Sequence, residues 1–101
     1  MTTSNPQDLQ IERQEGETKG RYVVRLDGVH AEMTWSRAGE TMIIIDHTGV
    51  PDAMRGRSVG QALVRRAVKD ARAEDRSILP LCPFAKAQFS RHPEWQDVLK
   101  R

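Results

Sequence analysis

The chain has 101 residues, 38% of them hydrophobic and 30% charged, with a formal net charge of +2. A single domain of this size buries about two-thirds of its unfolded surface, so the composition excludes a disordered or fibrous chain. No apolar run approaches the ~20 residues of a membrane-spanning helix, and the polar start MTTSNPQDLQ offers no basic-then-apolar leader, so no signal peptide is expected.

The chain reads as one domain over 1–101, with residues 1–8 expected to be disordered. A first strand is expected over Ile11–Glu15, and Glu15 to Gly20 reads as a turn. Arg21–Leu26 alternates, with Tyr22, Val24 and Leu26 on one face, and Asp27-Gly28 is a strong hairpin signal. Val29–Ser36 sets Val29, Ala31, Met33 and Trp35 against His30, Glu32, Thr34 and Ser36, the pattern of a half-buried antiparallel strand. After a turn at Arg37–Glu40, Thr41–Asp46 holds the run Met42-Ile43-Ile44-Ile45 and is expected to be covered on both faces, so that helices pack on the sheet. His47–Ser58 reads as a loop. Val59, Leu63, Ala67 and Ala71 then fall at helical spacing, broadened by Val64 and Val68, and predict a helix over Val59–Glu74. Ser77–Leu81 is a short strand interrupted by Pro80, and Pro83 can open a second helix with Phe84, Ala87 and Phe89 on its inner face. His92-Pro93 stops that helix, and Pro93–Leu99 adds a last helical turn or two. The order β-β-β-β-α-β-α is an α+β fold: an antiparallel meander feeding one parallel pair through a right-handed crossover helix.

Charge is unevenly distributed. Residues 1–51 hold 5 Lys/Arg and 8 Asp/Glu, whereas residues 52–101 hold 11 and 6. A basic C-terminal half suits an anionic ligand or a solvated helix surface. Within it, Arg55-Gly56-Arg57-Ser58-Val59-Gly60 lies between the most apolar strand and the main helix. Free N–H groups at a helix start, the helix dipole and two arginines make an anion site whose size suits a pyrophosphate. The bland alternative is that Ser58-Val59-Gly60-Gln61 is an S-x-x-Q capping box that starts the helix without a ligand, and the two readings are compatible.

Arg55-Gly56-Arg57-Ser58-Val59-Gly60-Gln61-Ala62-Leu63 resembles the acetyl-CoA motif of the GNAT acetyltransferase superfamily, Q/R-x-x-G-x-G/A, placed after a strand and opening a helix. His47-Thr48-Gly49-Val50-Pro51 before it, with Ile78-Leu79-Pro80-Leu81-Cys82-Pro83-Phe84 and Arg91-His92-Pro93-Glu94-Trp95 after it, are similar to the small single-domain GNAT-like proteins that lack the usual N-terminal helices. The resemblance covers about Gly20 to Leu99. It implies a minimal GNAT-like fold with a splayed parallel strand pair, acetyl-CoA as co-substrate, and transfer of an acetyl group to an amine that the sequence does not name, either a small molecule or a protein lysine or N-terminus. It implies coenzyme contacts from Thr48, Gly49 and Val50 on one strand end. The turn contributes Arg55, Gly56, Arg57, Ser58, Val59, Gly60 and Gln61, and Cys82, Pro83 and Phe84 stand beyond the other strand. Two positions depart from the pattern. Ser58 replaces the motif's first glycine, and Phe89 falls where many GNAT enzymes carry the tyrosine that protonates the leaving thiolate.

Cys82 and His47 are the catalytic candidates. Cys82 precedes Pro83 at a helix start, where a thiol is acidified and could accept the acetyl group or meet the coenzyme sulfur; its alternative is burial as a small hydrophobe. His47 could serve as the base, as histidine side chains can, or could simply hold the loop; Asp46 is expected on the opposite face of the strand. His92 reads as structural, with Trp95 packing back on the core, and His30 as solvated. Three scattered histidines and one cysteine lack zinc-site spacing, and a single cysteine excludes an internal disulfide, which fits a reducing cytoplasm. A non-catalytic coenzyme A-binding module is the alternative to an enzyme. A nucleic-acid-binding domain is a third reading, and the scarcity of aromatics argues against it. No membrane association and a monomer are expected.

Overall fold

The computed structural model describes residues 10–26, 28–54 and 58–100. Five strands form one sheet in the order of the chain: β1 (Ile11–Glu15), β2 (Lys19–Leu26), β3 (Val29–Ala38), β4 (Met42–Gly49) and β5 (Ser77–Pro80). The first four are antiparallel, and β4–β5 is parallel, joined by helix α1 (Val59–Ala73). Helix α2 (Pro83–Arg91) and a 3₁₀ segment (Pro93–Val98) complete the chain, and Leu99 returns beside Ile78 in a parallel bridge. The expected order of elements stands. The expected disorder of residues 1–8 lies outside the described residues, as does Asp27 of the hairpin; Gly28 beside it has φ 79°, which fits a tight turn.

One core explains the sequence pattern. Tyr22, Val24, Ala31, Met33, Trp35, Ile43 and Ile45 from alternating strand positions meet Val59, Leu63, Val64, Ala67, Val68 and Ala71 of α1, with Ala85, Phe89, Trp95 and Val98 from the C-terminal helices. The expectation that β4 is covered on both faces is corrected: Ile43 and Ile45 are buried, but Met42 and Ile44 are only half-buried. The opposite side of the sheet carries polar partners instead. Arg21 Nη1 donates to Glu32 Oε1 at 2.7 Å, and Ser36 Oγ donates to Asp46 Oδ2 at 2.5 Å. On α2 the buried residues are Ala85, Gln88 and Phe89; contrary to expectation Ala87 is exposed, and Phe84 is partly exposed with its ring over Gly60 of α1. A nine-residue helix has no long apolar stripe to fix its rotation, so docking decides which residues are buried.

Gly20 pairs with Trp35, and the indole lies across the space a side chain would take: a Cβ at Gly20 would sit 2.4 Å from Trp35 Cζ2. Gly20→Ala is therefore expected to lower stability by about 1–3 kcal/mol through overpacking, read as a drop in the denaturant midpoint without a change in slope.

Charged groups tie β1 to α1. Asp70 accepts from Tyr22 Oη at 2.8 Å, Arg13 Nη1 at 3.1 Å and Arg66 Nε at 3.1 Å, and Arg13 Nη1 also donates to Glu74 Oε2 at 2.5 Å. The hydrogen bond from Arg13, opposed by partial burial and reinforced by the charges of Arg13, Arg76 and Arg37, holds the Glu74 carboxyl below its ordinary 4.5. A carboxylate with a depressed folded pKa stabilises the fold above its unfolded value and loses that contribution as pH falls through the folded one. Melting temperature is thus expected to decline as pH drops below 4.5, and Glu74→Gln to flatten that decline while lowering the melting temperature at neutral pH.

Candidate active site

The β4–β5 ladder stops at Ile45↔Pro80. Pro80 has no N–H to continue it, and the amides of Leu81 and Cys82 both converge on the Ile45 carbonyl, at 3.1 and 3.2 Å. Beyond that point β4 runs on through Asp46–Gly49 with no β5 partner, so the two strands part. The loop expected at His47 is instead strand, because His47, Thr48 and Gly49 pair with Thr34, Met33 and Glu32 of β3.

A β-bulge sits at the root of this opening. Trp35 pairs with Ile45 and Thr34 with His47, leaving Asp46 as the extra residue. A bulge shifts the alternation of faces by one. Asp46, bonded to Ser36, and the exposed His47, paired with Thr34, therefore share the polar face away from the helices, which corrects the expectation that neighbours 46 and 47 point apart. Thr48 turns to the helix side, in register with buried Met33. Its Oγ1 accepts from the Cys82 thiol at 3.4 Å, closing the base of the opening. The two candidate catalytic residues thus lie on opposite sides of β4.

Cys82 is 5% exposed and stands at the N-cap of α2, followed by Pro83 at the first helical position. Burial pushes its thiol up, but the Thr48 hydroxyl and the backbone N–H groups of Ala85, Phe84 and Thr48 together outweigh burial and hold it below the ordinary thiol value of 9.0. The helix start acts on the sulfur as on any developing anion.

Thr48, Val50, Met54, Ser58, Val59, Gly60, Gln61, Phe84, Gln88 and Arg91 line a groove of about 550 Å³ between the first turn of α1 and α2. Seven of the residues expected to contact coenzyme line it, Gly49 and Cys82-Pro83 adjoin it in the chain, and Arg55, Gly56 and Arg57 lie outside the described residues. Ser58 has φ 59° and ψ 27°, and no side chain caps the helix. The capping box is thus corrected: left-handed Ser58 makes no side-chain cap, and Gln61 Nε2 lies 3.3 Å from His92 Nε2 instead of reaching back. The N–H groups of Val59, Gly60 and Gln61, residues that line the groove, lie in the first helical turn and so have no intrahelical acceptors. The motif's glycine preference also gains a cause, since a left-handed residue at 58 is strained unless it is glycine. Ser58→Gly is expected to raise stability by up to about 1 kcal/mol, seen as a higher melting temperature.

Gly60 packs under Phe84: a Cβ there would lie 2.5 Å from Phe84 Cζ. Phe89 is buried edge-on against Trp95, with ring centroids 5.8 Å apart, so it faces the core and not the groove. The polar residues that α2 brings to the groove are Gln88 and Arg91, which the sequence reading missed together with Met54. Phe84, Gln88 and Arg91 stand at i, i+4 and i+7, the spacing of one helix face, which was the available signal. His92 stacks on Trp95 at 4.0 Å and its Nδ1 lies 3.0 Å from Glu94 Oε2, as expected of a structural corner. Among the described residues no group of three or more His, Cys, Asp or Glu side chains could hold a metal ion, and no helix is long and apolar enough to cross a membrane.

The chain is similar to known proteins. The family model described as GCN5-related N-acetyl-transferase matches residues 21–98. The Gallus gallus protein NATD1 is 27% identical over 89 residues, covering 86% of this chain and 81% of that protein. The Xenopus tropicalis protein NATD1 is 31% identical over 75 residues, covering 72% and 69%. The solution structure of a GCN5-like candidate N-acetyltransferase from Staphylococcus aureus superposes with a TM-score of 0.69 at 34% identity, covering 88% of this chain and 87% of that one.

Proposed function

Because this chain belongs to the GCN5-related N-acetyltransferase family, we propose that it transfers an acetyl group from acetyl-CoA to an amine. The observation that carries the reading is the parted end of β4 and β5, with Cys82 and Thr48 at its base and the uncapped first turn of α1 beside it. Strands that part expose backbone groups a ligand arm can pair with, and ligands in parallel strand pairs sit beyond the carboxyl ends. The residues present suit such a ligand. Free amides of Val59, Gly60 and Gln61 with the helix dipole suit a diphosphate, and Thr48 and Cys82 stand where the thioester would lie.

The placement of side chains supports direct transfer. An alkyl ammonium has a pKa near 10.4, so it must lose a proton before attack. In our reading His47, on the open polar face, accepts that proton. The amine nitrogen then attacks the thioester carbon from this face, the C–S bond breaks, and the thiolate leaves on the helix side. There Cys82 and the N–H groups at the start of α2 stabilise the leaving sulfur, and the proton that the acetylated nitrogen sheds in becoming the amide passes to the thiolate, so that coenzyme A leaves as the thiol. Base and leaving-group residues on opposite sides of β4 suit a reaction in which acceptor and coenzyme approach from opposite sides. Calorimetric titration with acetyl-CoA, followed by a thiol-release assay against pooled amines, tests the proposal. Binding with amine-dependent thiol release is the expected result, and no binding would overturn it. Binding without release would favour the second reading, a coenzyme-binding module, for which the absence of a hydroxyl at Phe89 and its burial in the core are the supporting observations.

A further inference from the structure

The sheet carries another groove, of about 510 Å³, on its polar face. Register explains its shape. Glu15, Gly20, Trp35 and Ile45 form one row across β1–β4, and Trp35 and Ile45 send their side chains into the core, so this row leaves backbone as the floor. Gln14, Arg21, Thr34 and His47 form the next row, with side chains on the polar face. Lys19 and Ser36 pair on the other side of the floor. The bulge places Asp46 between these two walls, where its carboxylate accepts from Ser36 Oγ at 2.5 Å. Bulges beside active sites commonly re-aim a side chain in this way.

The charges of the groove are unevenly answered. Arg21 donates to Gln14 Oε1 and to Glu32 Oε1, each at 2.7 Å, and Glu15 is held by Arg13 and Arg37. Lys19 and Asp46 are exposed, line the groove and have no opposite-charge partner among the described residues. They stand on β2 and β4, two strand spacings or roughly 10 Å apart at the backbone. A carboxylate beside the candidate base His47 at one end, and an ammonium at the other, complement a ligand with the reverse charges.

We infer that this groove seats the acceptor, and that the acceptor is a primary amine bearing an anionic group several carbons away, as in an ω-amino acid. Asp46 receives its ammonium next to His47, and Lys19 receives its anion. The inference rests on the acetyl-transfer reading and names the substrate class for it. A diamine, cationic at both ends, meets Lys19 and is rejected by like charge.

Three amines that share a five-carbon chain test it: 5-aminopentanoate, pentylamine and cadaverine. Thiol release with acetyl-CoA is expected to give 5-aminopentanoate a kcat/KM about five-fold above pentylamine, the effect of one partly exposed ion pair, with cadaverine lowest. Lys19→Gln is expected to bring 5-aminopentanoate level with pentylamine. Asp46→Asn keeps the shape and an acceptor for Ser36, and is expected to raise KM for 5-aminopentanoate about five-fold with a smaller change in kcat. Titration of the protein with 5-aminopentanoate in the absence of coenzyme is expected to move the backbone amide resonances of Gly20, Thr34 and Asp46. Equal kcat/KM for the three amines, a preference for cadaverine, unchanged KM in Asp46→Asn, or no shifts on the sheet face would overturn the inference. Failure of the protein to bind acetyl-CoA, with the sheet-face shifts present, would overturn acetyl transfer alone, since the groove would still hold the amino acid.

Discussion

Gly60→Glu is expected to raise the dissociation constant for acetyl-CoA at least about 100-fold, equivalent to about 2.7 kcal/mol. Two effects act together. A Cβ at this position would lie 2.5 Å from the Phe84 ring, so the ring must move, and the groove it lines is the space it moves in. The added carboxylate would also stand among the helix-start N–H groups proposed to hold a diphosphate, satisfying them itself and repelling the ligand's charge. Gly60→Ala in a Phe84→Leu background separates the two, because it brings in the Cβ without the charge and meets a smaller neighbour. Affinity within about three-fold of the parent is expected there, a difference of about 0.6 kcal/mol. Calorimetry at matched folded fraction is the measurement, and parental affinity in a folded Gly60→Glu protein would remove the α1 turn from the proposed site.

The second large effect concerns Cys82. Cys82→Ala is expected to lower turnover ten- to hundred-fold, about 1.4–2.8 kcal/mol of barrier, with acetyl-CoA affinity retained and no acetyl adduct on the parent enzyme. The reason is position. Cys82 is 5% exposed, its sulfur bonds Thr48 Oγ1 at 3.4 Å, and its thiol is held below the ordinary value, against burial, by the Thr48 hydroxyl and then the N–H groups at the start of α2, so it shares the field that would receive the leaving thiolate. A nucleophilic role gives a different outcome: a hydroxylamine-labile acetyl mass on Cys82 in the parent and no turnover in the variant. A packing role gives a third, a lower melting temperature with unchanged rate per folded molecule. Normal turnover at saturating acetyl-CoA would end the catalytic assignment of Cys82 and leave the proton chemistry to His47. Thr48→Val would then serve as a second probe, since it removes the hydroxyl that bonds the sulfur while keeping the strand's shape.

Much of the fold is written locally. The alternation from Val29 to Trp35 specifies a strand and its buried side, because successive strand side chains point to opposite faces. The spacing of Val59, Leu63, Ala67 and Ala71 specifies α1 and its inner face, since 3.6 residues per turn stack them on one side. Pro80, which cannot donate to a ladder, announces where the parallel pair stops. What the tertiary structure alone decided is everything that depends on register or docking. The bulge at Asp46 exists because Trp35 pairs with Ile45 while Thr34 pairs with His47, and no property of residues 45–48 taken singly fixes that mismatch. It moves His47 to the open face and Thr48 to Cys82, and so separates the two candidate catalytic residues. The rotation of α2 is likewise set by what it docks on. Phe89 goes to Trp95, and Gln88 comes to line the groove. Sequence spacing determined which elements form and which of their faces are apolar; pairing across strands and contact between helices decided which polar atoms meet, because those energies arise only between segments distant in the chain.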